Sequence, residues 1–164
     1  EYILATIHRA ENTDQAERLV SIFEALKEAA VKRDVVLPLH PRTRKSLQQV
    51  GRYEDFARAI HLIQPVGYLD MIALEKNAAV IVTDSGGVQK EAYVHKVPCL
   101  TVRDETEWTE LIDARWNELV PPDEANELPA RIEDALGREG EANDLYGRGD
   151  ASKKIVDILI QEYV

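Results

Sequence analysis

The sequence predicts a single α/β domain spanning residues 1–164, a doubly wound parallel sheet with helices on both faces. Short apolar runs of buried-strand type alternate with stretches whose apolar residues fall at helical spacing. The strongest of these runs, residues 78–83, is apolar up to its last residue, as a central strand covered on both sides must be. At 164 residues the chain is also long enough to bury a core of its own.

The elements follow in order. Residues 2–7 form the first strand, and the capping-rich turn Asn12-Thr13-Asp14 leads into a helix with Leu19, Ile22, Phe23, Leu26 and Ala30 on one face. Residues 35–39 form the second strand, after which Pro41 opens a helix through Leu47 and Val50. Residues 59–63 read as a third strand. A further helix starts at Gly67-Tyr68-Leu69-Asp70, with Leu69, Ile72 and Ala73 expected to face inward. Gly86 and Gly87 break the central strand and Val88 to His95 reads as a helix. A fifth strand at 98–102 and a short sixth near Leu119-Val120 follow. Two helices close the chain, about 125–136 and 151–163, separated by a glycine-rich charged loop over 137–150. The single methionine is Met71 and the first residues already lie in an apolar run, so the chain reads as part of a longer protein.

A formal net charge of -10 argues against a nucleic-acid partner, which needs a basic face. It leaves room for a small anion, because His8-Arg9 and His40-Pro41-Arg42-Thr43-Arg44-Lys45 are local cationic islands. No apolar run reaches the roughly 18 residues of a membrane span, and none has the form of a secretory leader. One cysteine, Cys99, allows no internal disulfide and points to a reducing, cytoplasmic setting. It sits in an apolar strand and reads as core. No His, Cys and carboxylate spacing suggests a metal, and no cofactor is expected.

Open α/β sheets bind ligands at the carboxyl ends of their strands. Four polar segments fall there: Thr6-Ile7-His8-Arg9, Leu39-His40-Pro41-Arg42, Thr83-Asp84-Ser85-Gly86-Gly87 and Thr101-Val102-Arg103-Asp104. In the third, Gly86 and Gly87 let an anion approach the backbone. The following helix offers unpaired N–H groups and its positive end, and Ser85 adds a hydroxyl. Glu91, under two turns further on, is placed to accept hydrogen bonds from a sugar diol. The same pattern also fits a plain strand–helix turn capped by Ser85. His8 reads as a structural histidine or as a group that hydrogen-bonds or moves a proton near a phosphate. Arg9 and Arg103 read as phosphate clamps, or as a surface residue and a partner of Asp104 or Glu105. The cations of His40, Arg42 and Arg44 at a helix start need a compensating anion, bound or built in.

Taken together these segments resemble the non-hydrolysing UDP-N-acetylglucosamine 2-epimerases. The likeness rests on Thr6-Ile7-His8-Arg9-Ala10-Glu11-Asn12, Pro38-Leu39-His40-Pro41-Arg42-Thr43-Arg44, Pro65-Val66-Gly67-Tyr68-Leu69, Thr83 through Glu91, and Arg103-Asp104-Glu105-Thr106-Glu107, in that order. It implies a Rossmann-like domain that is the carboxyl-terminal, UDP-binding half of a two-domain, glycosyltransferase-B-like enzyme. It further implies that Arg9, Ser85, Gly86, Gly87 and Arg103 meet the diphosphate, Glu91 the ribose, and Val66 and Met71 the uracil. His8 becomes the catalytic residue of this half, and Glu11, His40 and Arg42 line a second UDP-sugar site. The implied reaction interconverts UDP-GlcNAc and UDP-ManNAc by elimination and re-addition of UDP, with the acid–base carboxylates on the amino-terminal half. A cytoplasmic homodimer working on a small-molecule UDP-sugar, without nucleic acid or membrane, is expected, with the helix at 151–164 closing onto the other half. Related readings are an epimerase for an oxidised diacetamido UDP-sugar, a hydrolysing epimerase, a glycosyltransferase donor domain, and a binding module without chemistry. Met71 stands where family members often carry an aromatic residue, and Ala10 where many bacterial members carry a second arginine.

Overall fold

The computed structural model describes residues 1–163. Six strands, β1 (Ile3–Thr6), β2 (Val35–Pro38), β3 (His61–Ile63), β4 (Val80–Thr83), β5 (Cys99–Thr101) and β6 (Asn117–Leu119), form one sheet in the order β3-β2-β1-β4-β5-β6. Every neighbouring pair is parallel. The chain winds outward from β1 to β3, then returns to the middle and winds outward again from β4. Its topological switch point therefore lies between β1 and β4. Those two strands pair from Ile3↔Val80 to Thr6↔Thr83, so their carboxyl ends are level.

Strand periodicity sorts the core into two layers. From β1, Ile3, Ala5 and Ile7 enter one layer and Leu4 the other; from β4, Val80 and Val82 enter the first and Ile81 the second. The first layer is covered by α2 (Ala16–Ala29), through Leu19, Ile22, Phe23 and Leu26 as expected, with α3 (Pro41–Gln49), α4 (Tyr53–Ala59) and α8 (Leu128–Ala135) around it. The second layer is covered by α5 (Tyr68–Asn77) and α6 (Gly86–His95), which pack on each other through Met71, Leu74, Val88 and Ala92. Cys99 is buried in this layer, and burial pushes its thiol up to about 12, which keeps it inert at neutral pH.

Several expectations are corrected. Asn12 and Thr13 lie in a short helix, α1 (Ala10–Thr13), and α7 (Thr109–Asp113) follows Trp108. Ala59 belongs to α4, so the third strand begins only at His61. These helices run four to seven residues, too short to show a period. The first three residues of 125–136 belong to a 3-10 segment (Pro122–Glu127) that leads into α8. On α5 the inward residues are Met71, Leu74 and Glu75, whereas Leu69 is 80% exposed and Ala73 is exposed. Apolar residues surround that helix, so periodicity cannot choose its inner face; contact with Val88 and Ala92 does.

The last helix, α9 (Ala151–Tyr163), carries Ile155, Val156, Ile158, Leu159 and Ile160 in exposed positions, each at least half accessible. None of its described side chains enters either core layer. Truncation after Asp150 should shift the thermal midpoint by less than about 2 °C while lowering self-association, both measurable by scanning calorimetry and light scattering. A large fall in the midpoint would show that α9 supports the domain.

Candidate functional site

The site is built on two threonines and one aspartate. Thr6 and Thr83 end the adjacent strands β1 and β4, and their hydroxyls hydrogen-bond at 2.5 Å. Asp84 follows with no accessible surface. Its carboxylate accepts the backbone N–H of His8 at 3.1 and 3.0 Å, that of Arg9 at 2.9 Å, and the side-chain amide of Asn12 at 3.1 Å. Asn12, also buried, donates in addition to the Val102 carbonyl at 3.0 Å, so the ends of β1, β4 and β5 are tied together. Thr43 donates to the Ile7 carbonyl at 2.6 Å and joins the start of α3 to the same edge. A buried carboxylate holding three donors is a rigid support.

Four of the expected segments therefore meet at the switch point. Ser85 is the N-cap of α6, and its hydroxyl accepts from the Val88 amide at only 3.5 Å, a weak cap that leaves the oxygen free to turn. The first amides of a helix have no carbonyl in a preceding turn, and here they belong to Gly86 and Gly87. A side chain on Gly87 would meet nothing nearer than Ser85 Oγ at 3.8 Å, so the space beside its Cα is open. A side chain on Gly86 would come within 3.3 Å of Trp108 Nε1.

Basic side chains ring this helix start. His8 exposes 42% of its side chain, and its ring lies 5.9 Å from that of His40. Arg9 reaches Glu107 at 3.6 Å and Glu11 at 3.7 Å. Arg103, almost buried, donates to Glu107 at 2.7 Å and leaves its Nε without a partner. The Arg103 partner is thus Glu107, not the expected Asp104 or Glu105; Asp104 pairs with Arg18 at 2.8 Å. Hydrogen bonding from Arg103 holds the Glu107 carboxyl below the usual carboxylate range. The loop carrying Arg103 and Glu107 is fixed from below, because Gln89 of α6 accepts from Thr106 at 2.7 Å and from Asn117 at 3.0 Å.

The basic residues at the start of α3 have partners of their own. His40 Nδ1 caps the Arg42 amide at 3.1 Å, Arg42 lies 4.0 Å from Asp14, and Arg44 donates to the Tyr53 hydroxyl. Glu11, His40 and Arg42 are exposed, on the β1–β2 side of the same edge. Val66 and Met71 are half-buried, Met71 against Val88 and Ala92 of α6. The switch-point residues lie on an open face; the depression beside Gln15, Arg18 and Pro122, of about 620 Å³, contains none of them. Among the described residues no group of three His, Cys, Asp or Glu is arranged to hold a metal ion, and no helix is long and apolar enough to cross a membrane.

With this geometry in place, comparison with known proteins decides the family. Residues 1–160 match the family model described as UDP-N-acetylglucosamine 2-epimerase. The chain belongs to that family. It is 46% identical over 165 residues to a UDP-N-acetylglucosamine 2-epimerase homolog of Methanococcus maripaludis, covering 97% of this chain and 44% of that protein. It is 45% identical to the UDP-2,3-diacetamido-2,3-dideoxy-D-glucuronate 2-epimerase of Pseudomonas aeruginosa, covering 96% and 44%. Its structure matches that of the Methanocaldococcus jannaschii UDP-GlcNAc 2-epimerase in complex with UDP-GlcNAc and UDP, with TM-score 0.88 and 40% identity over 98% of this chain and 45% of that one. The chain spans a little under half the length of the relatives it matches, so it corresponds to one Rossmann-like half of a glycosyltransferase-B-like architecture.

Some site residues carry no sequence signal that identifies them. Asn12 looks like a helix cap and Asp84 like part of the turn, yet together they fix the strand ends. Glu107 lies within a family motif but reads as one more surface acid; its role emerges only where Arg9 and Arg103 converge on it.

Proposed function

We propose that this chain is the UDP-binding half of a UDP-N-acetylglucosamine 2-epimerase that interconverts UDP-GlcNAc and UDP-ManNAc by eliminating and re-adding UDP. One observation carries the reading: an open helix start with two successive glycines, flanked by His8, Arg9 and Arg103, in a chain 40% identical to a protein solved with UDP-GlcNAc and UDP. In this reading the diphosphate lies on Ser85, Gly86 and Gly87, with the positive end of α6 behind it. Arg9 and Arg103 balance its charge, Glu91 accepts the ribose hydroxyls, and Val66 and Met71 flank the uracil. Departure of UDP concentrates negative charge on the phosphate, and preorganised donors aimed there lower the barrier. His8, level with the diphosphate and held through its own amide, faces the sugar side and is the catalytic candidate of this half. The base that takes the proton from carbon 2 belongs to the other half.

Glu11, His40 and Arg42 would line a second UDP-sugar site, contiguous with the first through the His8–His40 ring pair. The exposed apolar face of α9 suits packing onto the other half. The whole protein is proposed to be a cytoplasmic homodimer supplying an amino sugar for polysaccharide biosynthesis, without nucleic-acid or membrane partners. The 45% identity to the Pseudomonas aeruginosa enzyme favours a second reading, an epimerase for an oxidised diacetamido UDP-sugar, in which this half plays the same part.

Titration calorimetry tests the reading. UDP should bind this chain, UMP about tenfold or more weakly for want of the second phosphate, and the chain alone should epimerise nothing. No heat and no thermal stabilisation with millimolar UDP would overturn it. Product analysis by NMR on the whole enzyme separates the two sugars.

A further inference from the structure

Beneath the proposed ribose carboxylate lies a second carboxyl that the reaction scheme does not use. Met71 and Glu75 stand four residues apart on α5, and Gly87 and Glu91 four apart on α6, so each pair lines one face of its helix. The two helices pack through Met71, Leu74, Val88 and Ala92. Glu75 has no accessible surface, and neither of its oxygens receives a hydrogen bond from any described residue. The groups that act on it come from two elements. From α6 they are the Glu91 carboxyl and His95, whose Nε2 lies 3.8 Å from Glu75 Oε2. From β5 the Cys99 thiol faces it, neutral because burial raises its pKa. No arginine or lysine pairs with Glu75 among the described residues.

A fully buried carboxylate beside a second carboxylate is disfavoured in its charged form, first by desolvation and then by repulsion. Both effects raise Glu75, to about 8. At neutral pH it therefore keeps its proton, and a protonated carboxyl has one O–H to donate. Glu91 is half-buried one layer above, toward the open end of the groove.

We propose that Glu75 is a positioning residue for the nucleotide site: its acidic hydrogen is given to Glu91 and fixes that carboxylate toward the open end of the α5–α6 groove, where ribose hydroxyls arrive. The proposal rests on the UDP-binding reading. Glu91, oriented by a neutral neighbour, accepts both hydroxyls of the diol; freed of that neighbour, it loses its fixed direction. His95, nearer the far end of α6, supports Glu75 from the other side.

The test compares UDP with 2′-deoxy-UDP by calorimetry on this chain. Wild type should prefer UDP by about tenfold, the worth of one good hydrogen-bonded hydroxyl. Glu75→Gln keeps a neutral donor and should keep the preference. Glu75→Leu should lose most of it while binding 2′-deoxy-UDP as wild type does, a split that general damage to the fold does not produce. In wild type the preference should decline as pH rises through about 8, and in Glu75→Gln it should stay level. Retention of the full preference in a folded Glu75→Leu protein, or a wild-type preference unchanged from pH 7 to 9, would overturn the proposal. Carboxyl-carbon NMR of the free chain gives an arm independent of nucleotide. Glu75 should titrate far above 4.5. A chain that binds UDP with Glu75 titrating near its ordinary value refutes the Glu75 role; a chain in which Glu75 titrates far above 4.5 but which binds no UDP refutes the nucleotide reading and the ribose role with it.

Discussion

Asp84→Ala should cost this domain about 3 kcal/mol and abolish nucleotide binding with it. The carboxylate is fully buried and accepts from the amides of His8 and Arg9 and from the side chain of Asn12. Hydrogen bonds to a charged group contribute about 1.5–3 kcal/mol each, and donors stranded on deletion add a desolvation cost. The partial exposure of the His8–Arg9 turn lets water take over some of that loss, hence a total near one strong bond and a cavity rather than three. The functional loss should exceed the stability loss. Asp84 is buried beneath the open face and meets no ligand in the proposed reading, but it holds the amides of His8 and Arg9 and so orients the turn that carries them. Asp84→Asn keeps one acceptor and turns an NH₂ toward the remaining donors, so it should fall between wild type and alanine. Urea denaturation measures the first effect and UDP titration below the unfolding transition the second. A folded Asp84→Ala protein that binds UDP as tightly as wild type would show that the strand-end turn does not shape the site.

That result would bear on how a sequence announces such a site. The sheet was legible because β1, β4 and β5 are continuous apolar runs, and a strand buried on both faces has no other way to be written. Three parallel strand ends bearing polar residues were equally plain, and so was Ser85-Gly86-Gly87 at a helix start. Less legible were the groups that act through tertiary contact. Asn12 joins strand ends separated by 72 and 90 residues, a relation that no local pattern encodes. Glu75 sits in Ala73-Leu74-Glu75-Lys76-Asn77, a stretch that reads as exposed helix, yet it is among the least accessible residues of the chain. Burial of a lone carboxyl contradicts every local preference. Such conflicts between local pattern and final environment collect where function is served, because selection for the site outweighs selection for the cheapest helix face.

The same contrast makes Glu75 visible in stability. Its folded carboxyl holds a proton up to about 8, whereas the unfolded chain releases it near 4.5. Between those values the folded state binds more protons than the unfolded one, so this group lowers stability as pH rises. Glu75→Gln removes the penalty, and its thermal midpoint should exceed that of wild type increasingly from pH 5 to pH 8. Equal pH profiles in calorimetric scans would mean that Glu75 ionises in the folded chain as it does in the open one.

Gly87→Ala separates a ligand cradle from a plain helix start more sharply than any other single change. Gly87 has no positive φ and an added methyl meets only Ser85 Oγ, at 3.8 Å. The fold therefore has no need of glycine there. Alanine is the better helix former by about 0.5–1 kcal/mol, so stability should hold or rise. A diphosphate drawn onto the Gly87 amide would, however, lie in the space that the methyl takes. UDP affinity should fall by at least about tenfold, roughly 1.4 kcal/mol, without loss of structure. Gly86→Ala offers the opposite signature. Its methyl would press to 3.3 Å from Trp108 Nε1, and Trp108 is held in place by Lys90 stacked 3.3 Å from its ring centroid. The indole must yield, so stability should drop along with affinity. Were both alanines to bind UDP like wild type, the paired glycines would serve the turn alone, and the diphosphate would have to be sought elsewhere on the sheet edge.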